Sequence, residues 1–146
     1  KPARFEDYFS LIKEFVKLRS GQSIHVEPGR SIVGQCGSLI SKVLFIKKGS
    51  NTTFAIIDAG MTDLIRPALY QASHRIENLT SNGKADRYDV VGPVCESADT
   101  FAKYIELPET RRGDIIAIRS AGAYGEAMAS RYNLRDLPKA VFSDEI

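Results

Sequence analysis

The sequence is poor in the features that mark membrane, secreted and nucleic-acid-binding proteins. Its two cysteines, Cys36 and Cys95, stand in neither a CxxC nor a Cys/His spacing, so we expect no disulfide framework and no metal site. The 20 basic and 18 acidic residues are interspersed, which argues against a basic patch for nucleic acid or an anionic membrane. No apolar run is long enough to span a bilayer, and there is no basic-then-apolar leader. These absences predict a cytoplasmic protein without nucleic-acid or membrane partners.

The pattern of apolar residues predicts one helix followed by many strands. Helical spacing of aromatic and aliphatic residues indicates an amphipathic helix from Arg4 to Lys17. Short helices are also expected from Ser97 to Ile105 and from Gly122 to Arg131, and a hairpin across Lys47 to Thr52. Runs rich in β-branched residues predict strands within residues 23–29, 31–49, 52–60, 87–91, 114–120 and 139–143.

This pattern favours a mainly β fold. Five or six strands joined mostly by loops are typical of a β-sandwich or β-barrel, not of a parallel doubly wound sheet. The opening helix and its following strand are typical of the last unit of a (β/α) barrel. We therefore expect residues 1–30 to be the end of a truncated barrel and residues 31–146 to form a β-domain. Because the chain starts at Lys1 without Met, we also expect it to be part of a longer protein.

Two segments carry charged residues at turns. In "EPGR", Glu27 and Arg30 flank a Pro-Gly turn at the end of a predicted strand, where barrel enzymes keep their sites. A purely structural turn is the alternative. In "DAGMTDLIRPALY", Arg66 and Tyr70 offer a guanidinium and a phenol, which together make a carboxylate or phosphate receptor. A salt bridge and a core tyrosine are the alternative there.

Two further segments offer a thiol, a carboxylate and a phenol. In "GPVCESAD", Cys95 and Glu96 follow a Gly-Pro turn, although Glu96 or Ser97 can also begin a helix with Cys95 as a small buried hydrophobe. In "GAYGEAMASRYN", Tyr124 lies at a predicted helix start, where exposed amides favour an anion. His25 and His74 have no partner pattern and are interpreted as structural or surface residues.

In this order and spacing, the four segments resemble the diaminopimelate decarboxylases, pyridoxal-phosphate enzymes that end bacterial lysine synthesis. The resemblance runs from about Phe5 to Val141 and covers only the C-terminal part of such an enzyme. The family's barrel, with its cofactor lysine, stacking histidine and glycine-rich phosphate loop, has no counterpart here. The resemblance therefore implies the C-terminal β-domain of an alanine-racemase-like decarboxylase, preceded by a barrel remnant.

The resemblance also implies roles for particular residues. Glu27 would face the pyridine nitrogen of pyridoxal phosphate, and Cys95 would donate the proton that replaces the lost carboxylate. Glu96 would recognise and bind the distal ammonium of the substrate. In a homodimer, Cys95 and Glu96 would reach into the active site of the partner subunit. The implied cofactor-binding residues are Glu27, Gly29, Arg30 and Tyr124, and the implied substrate-binding residues are Arg30, Arg66, Tyr70, Glu96 and Tyr124.

Two alternatives to this function stand. Related decarboxylases of ornithine, arginine or carboxynorspermidine share the fold, but ornithine enzymes usually carry Asp at the place of Glu96 and lack the "RPALY" receptor. The other alternative is a non-catalytic β-domain that dimerises or binds a partner. Because no lysine here lies in a matching motif, we expect the isolated chain to be inactive.

Overall fold

The fold follows from a computed structural model that describes residues 4–145. Its helices are α1 (Phe5–Phe15), α2 (Arg30–Val33) and α3 (Arg66–Tyr70), with short 3₁₀ helices at Glu126–Met128, Tyr132–Leu134 and Ser143–Glu145. Its strands are β1 (Ser38–Lys48), β2 (Thr53–Ile57), β3 (Ile76–Asn78), β4 (Ala85–Val91), β5 (Thr100–Pro108) and β6 (Ile115–Arg119).

The predicted opening helix is confirmed, but the strand after it is not. Helix α1 has Glu6 and Asp7 in its first turn and Lys13 in its last, an order of charges that suits the helix dipole. None of its residues is buried by the rest of the described chain. Residues 22–28 form no regular strand, so that prediction is wrong. A strand needs a neighbour for its ladder hydrogen bonds, and no strand within residues 4–145 pairs with this segment.

The six strands form one sheet that almost closes on itself. The order is β3-β6-β1-β2-β4-β5, with β2 and β4 parallel and the other pairs antiparallel. The two edges of the sheet approach each other, because the Asn78 amide donates to the Thr110 hydroxyl at 3.1 Å and the Ser81 hydroxyl donates to the Glu109 carbonyl at 2.7 Å. The prediction of a mainly β, barrel-like domain is confirmed.

The core lies between the strands and is aliphatic. Strand β1 alternates, with Ser41 and Val43 buried and Lys42 exposed, as the period of a strand requires. Burial of each large aliphatic side chain contributes about 1.5 to 3 kcal/mol. The fully buried set comprises Val43, Ile57, Leu64, Val90, Leu107, Ile116 and Ile118.

Several local predictions are wrong. Residues 100–105 form strand β5 rather than a helix, because the side chain of Asp99 accepts hydrogen bonds from the backbone N–H groups of Met61 and Val94 and closes a loop there. Between Gly122 and Arg131 only one 3₁₀ turn forms, and the predicted strand at 139–143 is absent. The first predicted strand of the sheet begins at Ser38, since residues 30–33 form α2.

The helices of the described part of the chain are all too short, or not apolar enough, to cross a lipid bilayer.

Candidate functional site

Arg30 ties the "EPGR" turn to the "GAYG" loop. Its Nε donates to the Ala123 carbonyl at 3.1 Å and its Nη2 donates to the Ser120 carbonyl at 3.0 Å. Nearby, Gly122 packs so closely on the start of the domain that a Cβ atom there would lie 2.3 Å from the Val33 carbonyl oxygen. Two segments that are 90 residues or more apart in sequence therefore form one surface, with a half-buried guanidinium at its centre.

The Tyr124 hydroxyl lies close against the turn at Gly29. Gly29 has a φ of 57°, in the left-handed region that glycine adopts without strain, and a Cβ atom added to it would lie 3.2 Å from the Tyr124 hydroxyl. The exposed Glu27 side chain lines a cavity of about 460 Å³ whose walls also include His25 and Pro28. The turn therefore has the Tyr124 phenol packed against Gly29 and the Glu27 carboxylate beside open space.

Arg66 and Tyr70 lie one turn apart on α3. The Arg66 guanidinium carbon stands 5.1 Å from the centre of the Tyr70 ring, a cation–π contact. Pro67 occupies the first turn of the helix, where its missing N–H costs nothing. The Nε of Arg66 is buried and has no hydrogen-bond partner among the described residues. A buried donor without a partner is costly, so this nitrogen suits an acceptor supplied by a ligand.

His74 joins Arg66 to Arg30 electrostatically. Burial lowers the pKa of His74, and the positive charges of Arg30 and Arg66 lower it as well, against a raising contribution from the Arg119 carbonyl. The Nδ1 atom lies 2.8 Å from that carbonyl, so we assign the proton to Nδ1, and the buried Nε2 has no partner among residues 4–145. We call Arg30, Arg66, Tyr70 and His74 the basic group. Sequence reasoning gave His74 no role in a site, and only its position reveals one.

Cys95 and Glu96 lie on a second feature, the exposed loop between β4 and β5, which we call the thiol loop (residues 92–99). Both side chains are exposed, so the alternative of a buried Cys95 and a helix starting at Glu96 is wrong. The Tyr132 hydroxyl donates to Glu96 Oε1 at 2.5 Å. That hydrogen bond, together with the negative charge of Glu96, raises the pKa of the Tyr132 phenol.

A buried carboxylate closes the base of the thiol loop. Burial raises the pKa of Asp99, although hydrogen bonds from the Val94 and Met61 amides act in the opposite direction. The bond from Val94, at 2.6 Å, lies within the loop, and the bond from Met61, at 2.7 Å, joins the loop to the segment after β2.

The chain does not bring all predicted site residues together. Arg30 contacts the loop that carries Tyr124, and Arg66 contacts Tyr70. No hydrogen bond or ion pair within the described residues links Cys95 or Glu96 directly to the basic group.

Two residues that contact the thiol loop or the segment after β2 were not predicted from the sequence. Tyr132 contacts Glu96 across 36 positions, and Arg135 donates to the Thr62 hydroxyl at 3.0 Å and to the Asp58 carbonyl at 2.6 Å. Neither stands in a pattern that names its partner, so no sequence signal indicates these contacts.

Comparisons with known proteins identify relatives. Residues 11–122 match the family described as pyridoxal-dependent decarboxylase, C-terminal sheet domain. The chain is 61% identical over 142 residues to a diaminopimelate decarboxylase of Bacteroides thetaiotaomicron, covering 97% of this chain and 37% of that protein. It is similar to the crystal structure of the Helicobacter pylori diaminopimelate decarboxylase complexed with L-lysine, with a TM-score of 0.69, 56% identity and coverage of 73% and 26% of the two chains. A crystal structure from Aquifex aeolicus matches with a TM-score of 0.79, 46% identity and coverage of 89% and 32%. The chain thus spans about a third of the length of these relatives.

Proposed function

Since this chain belongs to the pyridoxal-dependent decarboxylases, whose C-terminal sheet domain it matches, we propose that it is the C-terminal part of a diaminopimelate decarboxylase. The full-length enzyme would convert meso-diaminopimelate to L-lysine and CO2 in the cytoplasm, as the last step of lysine synthesis. The observation that carries this proposal is the 61% identity to a diaminopimelate decarboxylase along 97% of the chain. In the same proposal, residues 1–30 end the enzyme's barrel and residues 31–146 form its β-domain.

The turn around Gly29 fits the cofactor. Because Gly29 has no Cβ atom, the Tyr124 hydroxyl lies close to the backbone of the turn, and Glu27 borders an open cavity. Bound pyridoxal phosphate would accept the electrons that remain on the substrate carbon when CO2 leaves. Glu27 would face the ring nitrogen and keep it protonated, while Gly29, Arg30 and Tyr124 would hold the cofactor's other end.

The basic group would bind the distal carboxylate of the substrate. The positive charges of Arg30 and Arg66 both lower the pKa of His74, and Tyr70 adds a phenol beside Arg66. The unpaired Nε of Arg66 would gain its missing acceptor from that carboxylate. A substrate without a second carboxylate would leave this buried donor unsatisfied, which argues against an ornithine-type decarboxylase.

The thiol loop would supply one residue that binds the substrate and one that donates a proton in the reaction. Glu96 would bind the distal ammonium, and the exposed Cys95 would donate a proton to the carbon that has lost CO2. Within residues 4–145 no hydrogen bond or ion pair joins Cys95 or Glu96 to the basic group, which supports a homodimer in which these two residues enter the partner's site. A contact of that kind is repeated twice by a two-fold axis.

The test is a substrate comparison with the full-length protein. Supplied with pyridoxal phosphate, it should release CO2 and lysine from meso-diaminopimelate and should act on L-ornithine at least about a hundredfold more slowly. Preference for ornithine, or an absence of decarboxylation with both, would contradict the proposal. A variant with Glu27→Gln should retain its fold and lose most of its activity, which separates a chemical role of Glu27 from a structural one.

A further inference from the structure

We propose that Tyr132 is a positioning residue that holds the Glu96 carboxylate in place for the substrate's distal ammonium. This inference rests on the proposed function, because it extends the role of Glu96. It goes beyond that function by assigning substrate preference partly to a residue that need not touch the substrate.

The contact is short and leaves Glu96 able to bind. The Tyr132 hydroxyl donates to Oε1 at 2.5 Å, at the short end of the range for a hydroxyl on a charged carboxylate. Glu96 is otherwise exposed on a loop, where a long side chain samples several rotamers. The hydrogen bond selects one of them. Since each carboxylate oxygen accepts more than one bond, Oε2 remains available for an ammonium.

Tyr132 is itself fixed from both sides. The Ser130 amide donates to the Thr62 carbonyl at 2.9 Å. On the other side, Arg135 donates to the Thr62 hydroxyl and contacts the Asp63 carboxylate at 3.3 Å. The segment that carries Tyr132 is therefore anchored to the segment that follows β2.

The same segment also supports Glu96. The Met61 amide donates to Asp99, which also accepts from Val94 at the base of the thiol loop. Separate hydrogen bonds thus connect the segment that carries Tyr132 and the loop that carries Glu96 to residues 61–63. Because both segments are hydrogen-bonded to the same residues, the two exposed side chains are held within contact distance of each other. This distinguishes the contact from an incidental pair on the surface.

The charge states suit this role. Glu96 raises the pKa of the Tyr132 phenol above its usual 10.0, so the phenol remains protonated and remains a donor. A neutral donor orients the carboxylate without cancelling its charge. A lysine or arginine at the same place would compete with the substrate's ammonium.

The experiment compares Tyr132→Phe with Tyr104→Phe in the full-length enzyme. Tyr104 is an exposed tyrosine of β5 whose hydroxyl makes no hydrogen bond to the described residues, so its variant is a matched control. We expect Tyr132→Phe to raise KM for meso-diaminopimelate about tenfold with kcat within about twofold, since the ammonium contact acts in binding rather than in the chemical step. KM for 2-aminopimelate, which lacks the distal amine, should stay within about twofold. Tyr104→Phe should leave both values unchanged.

Glu96→Gln supplies the second arm. On that background, Tyr132→Phe should add no further loss, because the carboxylate that it orients is gone. Ring-labelled tyrosine NMR of Glu96→Gln should also show one phenol whose pKa falls, which reports the contact without altering Tyr132.

The outcomes separate the two proposals. Equal KM increases on both substrates, or wild-type behaviour of Tyr132→Phe together with an unchanged phenol pKa in Glu96→Gln, would overturn the positioning role while the decarboxylase stands. A wild-type enzyme that does not act on diaminopimelate would overturn the proposed function and this inference with it.

Discussion

Arg66→Ala in the full-length enzyme is the substitution that best tests how the basic group is used. It removes a guanidinium whose Nε is buried without a partner among residues 4–145 and which we propose to contact the distal carboxylate. A charge-assisted contact of this kind contributes about 1.5 to 3 kcal/mol. Because about 1.4 kcal/mol corresponds to a factor of ten, kcat/KM for meso-diaminopimelate should fall roughly 10- to 150-fold. The inhibition constant of cadaverine, a diamine that lacks that carboxylate, should change less than about twofold.

Stability must be separated from recognition, because Arg66 also contacts the Tyr70 ring. Arg112 offers a matched control, since its guanidinium carbon stands 5.2 Å from the centre of the Phe45 ring, against 5.1 Å for Arg66 and Tyr70. Each alanine variant should lose about 0.5 to 1 kcal/mol of unfolding free energy in urea titrations. Only Arg66→Ala should also lose decarboxylase activity.

Arg66→Lys refines the same test. It retains the charge but loses the planar fork that pairs with a carboxylate, so its kcat/KM should lie between the wild type and Arg66→Ala. Equal losses on diaminopimelate turnover and on cadaverine inhibition would show that Arg66 supports the fold and does not bind the carboxylate.

Three further predictions concern the chain itself. With pyridoxal phosphate, the isolated chain should show no decarboxylation and no saturable borohydride trapping at a single lysine; stoichiometric trapping at one site would refute this. The pKa of His74 is held below its usual 6.5, so the folded state binds fewer protons than the unfolded state below that pH. The free energy of unfolding should therefore be constant with respect to His74 above pH 6.5 and should decrease as the pH falls from 6.5 to the pKa of His74 in the folded state. In urea titrations at several pH values, His74→Gln should reduce this dependence of the unfolding free energy on pH. An unchanged dependence would show that His74 is not its cause. Finally, Ile118→Ala should cost about 2 to 5 kcal/mol of unfolding free energy because Ile118 is fully buried, whereas the exposed Ile40→Ala should cost under about 0.5 kcal/mol; similar losses would place the core elsewhere.

The predicted strands that form in the fold contain β-branched residues and have clear turn residues at their ends, whereas the strands predicted within residues 23–29 and 139–143 do not form. Strands β1, β2, β4 and β6 follow this rule. Strand β5 was missed because Ser97 and Asp99 are typical helix-capping residues. In the fold, Asp99 instead accepts the Met61 and Val94 amides, and its carboxylate closes a loop. A side chain with one of its two partners 38 residues away cannot be assigned from its neighbours in sequence alone.

The contacts in the candidate site are likewise of two kinds, those between residues close in sequence and those between distant segments. Arg66 and Tyr70 contact one another because they are four residues apart on a helix, a spacing that is visible in the sequence. The placement of His74 beside two guanidiniums, and of Tyr132 on Glu96, depends on how distant segments pack. The motifs therefore predicted the candidate site residues, and the fold was needed to show which of them meet.

The account depends most on the claim that this domain supplies Cys95 and Glu96 to an active site of the partner subunit. Two inactive full-length variants test it, one with Cys95→Ala and one without the cofactor lysine of the barrel, mixed under conditions that exchange subunits. If sites are shared, each mixed dimer has one site with both lesions and one with neither. Random mixing of equal amounts makes about half the dimers mixed, so decarboxylase activity should recover to roughly a quarter of the wild-type value. No recovery after verified exchange would place Cys95 in its own subunit's site, or in none, and would contradict the claim.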